Sequence, residues 1–234
     1  MGSVPVPDKQ KAIIGLDDGT LVVSDNVDVP KLEDDLVIVR TKAIGLNPID
    51  TKMKGRLAAP GCIAGMDFAG EVIAIGAKAQ TPGKIKVGDR VCGAVIGYDQ
   101  RNPAIGAFAE IVAPTDAGLM KIPDGMSYEQ GASLGACIST MGLALFKSLG
   151  LPGNPKNPAE KPVNVFVYGG STSVGTMAIQ LIKISGLNPI TVCSPRNFDL
   201  VKSYGATEVF DYNSPTCIDD IRKYTRNSLN VIAL

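Results

Sequence analysis

The 234-residue sequence contains no histidine. Without an imidazole group, the chain excludes a histidine-based catalytic triad, a histidine general base and the zinc sites that use histidine ligands. The five cysteines form no C-x-x-C pair, so a four-cysteine zinc site is excluded too, and we expect no metal. An odd number of scattered cysteines is typical of reduced, buried thiols in a reducing compartment.

A charge imbalance and a long apolar run are also missing. Lysine plus arginine and aspartate plus glutamate number 23 each, which leaves no excess of positive charge for nucleic acid or an anionic membrane. No apolar run approaches the ~20 residues of a spanning helix, and the N-terminal MGSVPVPDKQ does not resemble a signal peptide. We therefore expect a cytoplasmic protein with no nucleic-acid or membrane partner.

Residues 1–135 are dominated by short β-branched segments separated by turns, from KAIIGL to AFAEIVAP. This pattern predicts a barrel-like or sandwich-like β domain. Ser127 followed by Gln130 forms a capping-box pattern, which predicts that a helical region begins there, as one long helix or two stacked ones. Residues 136–162 are interpreted as a connecting helix and a proline-rich linker.

From residue 163 the sequence alternates between strand and helix patterns. The strand segments are VNVFVYG, PITVCS, TEVFDY and NVIAL, and helical segments lie between them. Such alternation predicts a parallel, doubly wound sheet, because parallel strands need helical crossovers. Sheets that bind dinucleotides usually have about six strands. Residues 163–234 therefore predict only the N-terminal part of a Rossmann domain, in a chain truncated at its C-terminus.

The segment VFVYGGSTSVGTMAIQLIK has the order strand, glycine-rich turn and helix that binds a pyrophosphate. Gly169 and Gly170 are expected to form the tight turn, and Gly175 to let the helix pack closely on the strand. Thr172 stands where a middle glycine is expected, and its hydroxyl, with Ser171 and Ser173, can contact a phosphate. The alternative is a tight turn that binds no ligand.

The end of the second strand distinguishes the two nicotinamide cofactors. It carries no acidic residue that would bind an unphosphorylated ribose. Ser194 and Arg196 instead offer a hydroxyl and a guanidinium to a 2′-phosphate, which favours NADPH over NADH. The alternative is an ordinary solvated arginine in a loop.

Several phrases resemble a known family. GLNPIDTKMKG, GMDFAGEVIAIG, VGDRV and AFAEIV are similar to the zinc-free quinone-oxidoreductase branch of the medium-chain dehydrogenase/reductase superfamily. NPIDTKM, ISTMGLAL, YGGSTSVG, CSPRNFDLVKSYGA and EVFDY resemble the fungal trans-acting enoyl reductases that partner highly reducing polyketide synthases of the lovastatin type. The resemblance implies an α/β fold, with a GroES-like β-barrel domain and a Rossmann doubly wound parallel sheet. Gly65-Met66-Asp67 replaces the Gly-His-Glu of zinc-dependent members, and Asn47 lies near the place of their first ligand.

The resemblance also implies site residues. Lys52 and Thr140 are the candidate catalytic residues. The cofactor-binding residues fall on Ile49, Asp50, Thr51, Lys52, Ser171, Thr172, Ser173, Val174, Ser194, Pro195, Arg196, Asn197 and Tyr212. The substrate-binding residues fall on Thr140, Met141, Gly142, Leu143, Ala144, Leu145, Phe146 and Lys147.

Each of these roles has a structural alternative. Lys52 can be a surface lysine, Thr140 can bond back to its own helical turn, and Tyr212 can be a packing residue. Asp50 is expected to fix its loop through backbone amides or Lys52. Cys137 and Cys193 lie in apolar sequence with no neighbouring base, so we expect inert thiols.

The implied function is NADPH-dependent reduction of the α,β-double bond of a polyketide thioester carried by an acyl carrier protein. The implied partner is a highly reducing polyketide synthase, including synthase–peptide synthetase hybrids, and the reductase is expected to be a monomer. One alternative is a truncated, inactive relative or a non-catalytic binding module. Another is a stand-alone quinone or alkenal reductase.

Overall fold

A computed structural model describes residues 6–53, 57, 59–79 and 85–232. The chain divides into two units, residues 1–136 and 137–234, so the segment 136–162 lies almost wholly in the second. Across the described ranges, no helix combines the length and apolar character that crossing a membrane requires.

Antiparallel strands build the first unit. The strands are β1 Lys9–Gly15, β2 Leu21–Asp28, β3 Val37–Gly45, β4 Asp67–Ile75, β5 Arg90–Ala94, β6 Ile111–Val112 and β7 Leu119–Lys121. β1 and β2 form a hairpin, and the other five strands form one sheet in the order β6-β3-β4-β5-β7. The isolated bridges Ala12–Ala109 and Ile14–Ile63 join β1 to the rest of the unit.

Alternating apolar side chains of β3, β4 and β5 form the core of this unit. Val39, Phe68, Val72 and Val91 are fully buried there. Burial of this kind supplies the main driving force for folding, about 25 cal/mol per Å² of apolar surface. The sheet thereby fixes the end of β3 at Gly45 and the start of β4 at Asp67, and the loop described below follows Gly45.

Two short α-helices and a π-helix follow the β sheet. They are α1 Tyr128–Ala132, α2 Gly135–Gly142 and the π-helix Leu143–Ser148. The predicted capping box is present: the Gln130 N–H donates to Ser127 Oγ, and the Ser127 N–H donates to Gln130 Oε1. The helical region is broken at Ser133, whose hydroxyl donates back to the Gln130 carbonyl and so ends α1.

The second unit contains a parallel sheet with helical crossovers. The elements are β8 Asn164–Tyr168, α3 Ser173–Ile184, β9 Asn188–Cys193, the 3₁₀ turn Pro195–Asn197, α4 Phe198–Ser203, β10 Glu208–Asp211, α5 Cys217–Thr225 and β11 Asn230–Ile232. The strand order is β10-β9-β8-β11. The core of this unit contains Met141 and Leu145 from the helical region and Val167, Ile179 and Ile182 from the sheet and its first crossover helix, all fully buried.

The predicted fold class, a β domain with part of a parallel, doubly wound sheet, is confirmed, and the strands of the β domain are antiparallel. The proline-rich segment, predicted as a linker, forms a backbone hydrogen bond with the second unit. The Ala159 N–H donates to the Ser185 carbonyl at the end of α3, at 2.8 Å, so this segment is tied to the second unit.

Candidate functional site

The turn between β8 and α3 requires its three glycines. Gly169 has φ 72°, in the left-handed region that favours glycine. A Cβ on Gly170 would run into the side chain of Thr191, and a Cβ on Gly175 would run into the Gly169 carbonyl oxygen and the backbone of Gly170. The predicted tight turn is confirmed, and Gly175 lets α3 pack closely on the backbone of that turn rather than on β8 itself.

Thr172 is the N-cap of α3. Its hydroxyl accepts from the Gly175 N–H at 3.0 Å and donates to the Gly169 carbonyl at 2.9 Å. Thr172 has φ −76°, so this position does not need glycine. Because its one hydroxyl proton is already used inside the turn, the side chain stabilises the turn rather than donating to a phosphate. Threonine directly before a helical pattern was the available sequence signal for this role.

Backbone donors at the start of α3 are available for an anion. The N–H groups of Ser171, Ser173 and Val174 have no hydrogen-bond partner within the described part of the chain. The first N–H groups of a helix lack intrahelical partners and carry the positive end of the helix dipole. This turn is therefore suited to bind a phosphate group.

Polar side chains from the ends of β8, β9 and β10 meet beside this turn. Ser194 Oγ lies 2.8 Å from the Tyr212 hydroxyl, and Asn197 Nδ2 donates to Ser171 Oγ at 3.1 Å. The parallel register places the carboxyl ends of these strands at one edge of the sheet. Four of the predicted cofactor residues are thus brought together.

Arg196 lies next to this cluster in the 3₁₀ turn that Pro195 begins. The Arg196 side chain is exposed and has no ion-pair partner among the residues described. Its guanidinium is therefore available to a bound anion, and no carboxylate of the described chain competes for it.

In the first unit, the loop after β3 carries the other predicted cofactor residues. Ile49, Thr51 and Lys52 are exposed, whereas Asp50 is only 6% exposed. Asp50 Oδ2 accepts from the Asn47 backbone N–H at 2.7 Å, so Asp50 fixes the loop through a backbone amide. The Lys52 ammonium has no partner among the described residues.

Asp67, at the start of β4, is a buried carboxylate that the sequence did not single out as functional. It is 2% exposed, and it accepts hydrogen bonds from Asn47 Nδ2 at 2.7 Å and from the Ala136 N–H. Burial raises the pKa of Asp67, as does the charge of Asp50, while the two hydrogen bonds act in the opposite direction.

Within the described ranges, no group of three histidine, cysteine or acidic side chains is arranged to hold a metal ion.

The predicted substrate segment, residues 140–147, divides into two faces. Met141 and Leu145 are fully buried in the core of the second unit, so they are not accessible to a substrate. Thr140, Leu143 and Lys147 are exposed, and Gly142, Ala144 and Phe146 are partly buried. The Thr140 hydroxyl forms no hydrogen bond with the described residues, so it is not bonded back to its own helix.

The cysteines are not placed for nucleophilic catalysis, since all five are buried. Burial raises the pKa of the Cys193 thiol, and the charge of Asp211 adds to this effect. A raised pKa keeps the group as a thiol near neutral pH, whereas a nucleophile needs the thiolate.

Comparisons with known proteins identify the family of this chain. A family model described as "Alcohol dehydrogenase GroES-like domain" matches residues 33–124. The chain is also 53% identical over 227 residues to the trans-enoyl reductase FSL5 of Gibberella zeae, a match that covers 97% of this chain and 63% of that protein. The chain belongs to the medium-chain dehydrogenase/reductase superfamily.

A second relative and a crystal structure show the same similarity. The trans-enoyl reductase fsa3 of Fusarium sp. (strain FN080326) is 54% identical over 221 residues, covering 94% of this chain and 62% of that protein. The crystal structure of a quinone oxidoreductase from Pseudomonas syringae pv. Tomato DC3000 superposes with a TM-score of 0.68 at 27% identity, covering 93% of this chain and 63% of that one. The fold-class prediction, a GroES-like domain with part of a Rossmann-like sheet, is confirmed. This chain spans under two thirds of the length of the curated relatives it matches.

Proposed function

We propose that this chain binds NADPH and belongs to an enoyl reductase that acts in trans on the carrier-bound enoyl thioester of a polyketide synthase. The observation that carries the proposal is the glycine turn before α3, whose N–H groups are suited to a phosphate, with Ser194, Arg196 and Tyr212 beside it. The name trans-enoyl reductase, which relatives at 53% and 54% identity carry, supports the reaction class. The setting we propose is the cytoplasm, with a monomeric reductase.

The residues of the second unit fit a dinucleotide phosphate. Gly169, Gly170 and Gly175 allow the tight turn, and the N–H groups of Ser171, Ser173 and Val174, which have no partner among the described residues, would bind a pyrophosphate. Arg196 and Ser194 would hold the 2′-phosphate, with Tyr212 bonded to Ser194. Charge-assisted contacts of this kind are about twice as strong as neutral hydrogen bonds.

Bound NADPH would supply the hydride that adds to the β-carbon of the unsaturated thioester. In the first unit, the exposed Lys52 Nζ would donate to the thioester carbonyl oxygen, where negative charge develops. The reduction also takes up one proton at the α-carbon, and Lys52 Nζ is the candidate group to relay it. Within the second unit, the Thr140 hydroxyl, Leu143 and Lys147 are the exposed groups of residues 140–147 that we propose for substrate binding.

The cofactor part of the proposal is tested by titrating the purified 234-residue chain with NADPH and with NADH, following the cofactor fluorescence, alongside gel filtration. We expect tighter binding of NADPH, and in Arg196→Ala a loss of about tenfold or more for NADPH with little change for NADH. Arg222→Ala, which removes an exposed arginine of α5, is the matched control and should bind as the wild type does. Equal affinity for both cofactors, or an unaffected Arg196→Ala, would refute the assignment of NADPH.

The reaction is tested with an enoyl-pantetheine thioester and, in parallel, a quinone. NADPH oxidation that depends on the thioester and falls about a hundredfold in Lys52→Met would support the enoyl reductase. Faster oxidation with the quinone would favour a quinone reductase, the class of the structure at 27% identity. Binding without turnover of either compound would favour a binding module.

A further inference from the structure

Asp67 is placed to act on the loop that carries Lys52, although it lies at the start of β4. Its two carboxylate oxygens have different partners: Oδ2 accepts from the Asn47 side chain at 2.7 Å, and Oδ1 accepts from the Ala136 N–H. No lysine or arginine forms an ion pair with it among the described residues. A buried carboxylate without a cation is costly unless its hydrogen bonds are retained, so both contacts hold their partners firmly.

Two glycines allow the backbone to approach Asp67 closely. A Cβ on Gly45 would meet the Ala132 carbonyl and Asp67 Cβ, and a Cβ on Gly135 would meet the Gly93 carbonyl and Asp67 Oδ1. Backbone from the end of β3, from β5 and from the start of α2 therefore encloses the carboxylate on several sides. Close packing of this kind restricts the carboxylate to one orientation.

Asn47 connects this fixed carboxylate to the loop. While the Asn47 side chain donates to Asp67, its backbone N–H donates to Asp50 Oδ2 and its carbonyl accepts the Asp50 N–H at 3.0 Å. The Lys52 N–H then donates to the Ile49 carbonyl at 2.9 Å and closes the turn. The chain of contacts runs from the sheet through Asp67 and Asn47 to the backbone of Lys52.

We propose that Asp67 is a positioning residue, which holds the turn of residues 47–52 and thereby the backbone of Lys52 through the Asn47 side chain. The inference rests on the proposed function only in that Lys52 is catalytic there. Asp67 itself is enclosed and does not touch the substrate.

Amide hydrogen exchange of the full chain without cofactor tests this proposal. In Asp67→Ala, exchange at the N–H groups of Asn47, Asp50 and Lys52 should rise about tenfold or more, while β3, β4 and β5 stay protected. Asn47→Ala should do the same, and the double variant should add little to either single variant. Asp67→Asn should keep the protection, because the side-chain amide that this change introduces can accept from the Ala136 N–H and donate to a rotated Asn47 amide.

The matched control is Gln10→Ala, which removes another buried polar side chain of the same unit. Gln10 is 2% exposed and accepts the Ile111 N–H at 2.8 Å. This variant should raise exchange at Ile111 and leave the turn of residues 47–52 unchanged. Equal rises over the sheet and the turn in Asp67→Ala, or no rise at the turn in Asn47→Ala, would overturn the proposal. The readout needs neither NADPH nor turnover, so its failure is distinct from failure of the proposed function.

Discussion

Replacing Gly175 by alanine should destabilise the chain, whereas the same change at Gly142 should stabilise it. Both residues lie in helices, where alanine is favoured over glycine by about 1 kcal/mol at most. At Gly142, which has φ −57°, no described atom apart from its chain neighbours and its own helix backbone lies within 4 Å of the added Cβ, so the gain should be about 0.5–1 kcal/mol. At Gly175 the added Cβ meets the backbone of Gly169 and Gly170. Overpacking of this kind costs about 1–3 kcal/mol and should exceed the gain in helix propensity.

Urea unfolding followed by circular dichroism measures the difference. With a denaturant slope of about 2 kcal/mol per M, a net loss of about 1–2 kcal/mol for Gly175→Ala lowers the midpoint by about 0.5–1 M. Gly142→Ala should raise the midpoint by about 0.3–0.5 M on the same slope. A Gly175→Ala midpoint at or above that of the wild type would show that α3 does not need its close approach to the glycine turn, and would refute the reasoning.

Three further predictions concern side chains. Because burial raises the pKa of Asp67, the folded chain binds the proton more readily than the unfolded chain, and this residue's contribution to stability falls as pH rises from about 4 through the folded pKa. The urea midpoint of Asp67→Asn should therefore increase relative to that of the wild type as pH rises. A constant difference between the two midpoints from about pH 3.5 to about pH 8 would contradict this. Thr172→Ala should lose about 1 kcal/mol of unfolding free energy with the α3 cap, whereas Thr172→Ser should lose little; equal urea midpoints would contradict the cap. Iodoacetamide should label the native chain far more slowly than the urea-unfolded chain, as judged by mass spectrometry, because the five cysteines are buried; rapid labelling of Cys193 would argue against its burial.

The sequence was most informative where local chemistry decides the structure. The strand and helix alternation, the Ser127 capping box and the glycine turn at Gly169 follow from backbone and periodicity rules, and the structure contains all three. These features depend on residues close together along the chain. These features can therefore be predicted without knowledge of the tertiary packing.

Contacts between distant segments could not be predicted from the sequence. Asp67 and Asn47 are 20 residues apart, and Asp67 and Ala136 are 69 residues apart, so only the folded sheet brings them together. The division of residues 140–147 into buried and exposed faces depends likewise on how the helical region packs. The sequence could name the residue types of the site, but not which of them the fold encloses.

The strand order β10-β9-β8-β11 has a consequence for cofactor choice. From β8 the chain moves outward through β9 to β10 and then returns to the opposite side of β8 as β11, so the direction of winding reverses at β8. Parallel sheets open a crevice at such a topological switch point, beyond the carboxyl end of the central strand. The glycine turn follows that strand, so the crevice is made by chain connectivity and backbone, while Ser194, Arg196 and Tyr212 stand at one side of it. In the cofactor site that we propose, affinity for a dinucleotide and preference between two dinucleotides would thus depend on different parts of the sheet, so that the second could change without loss of the first.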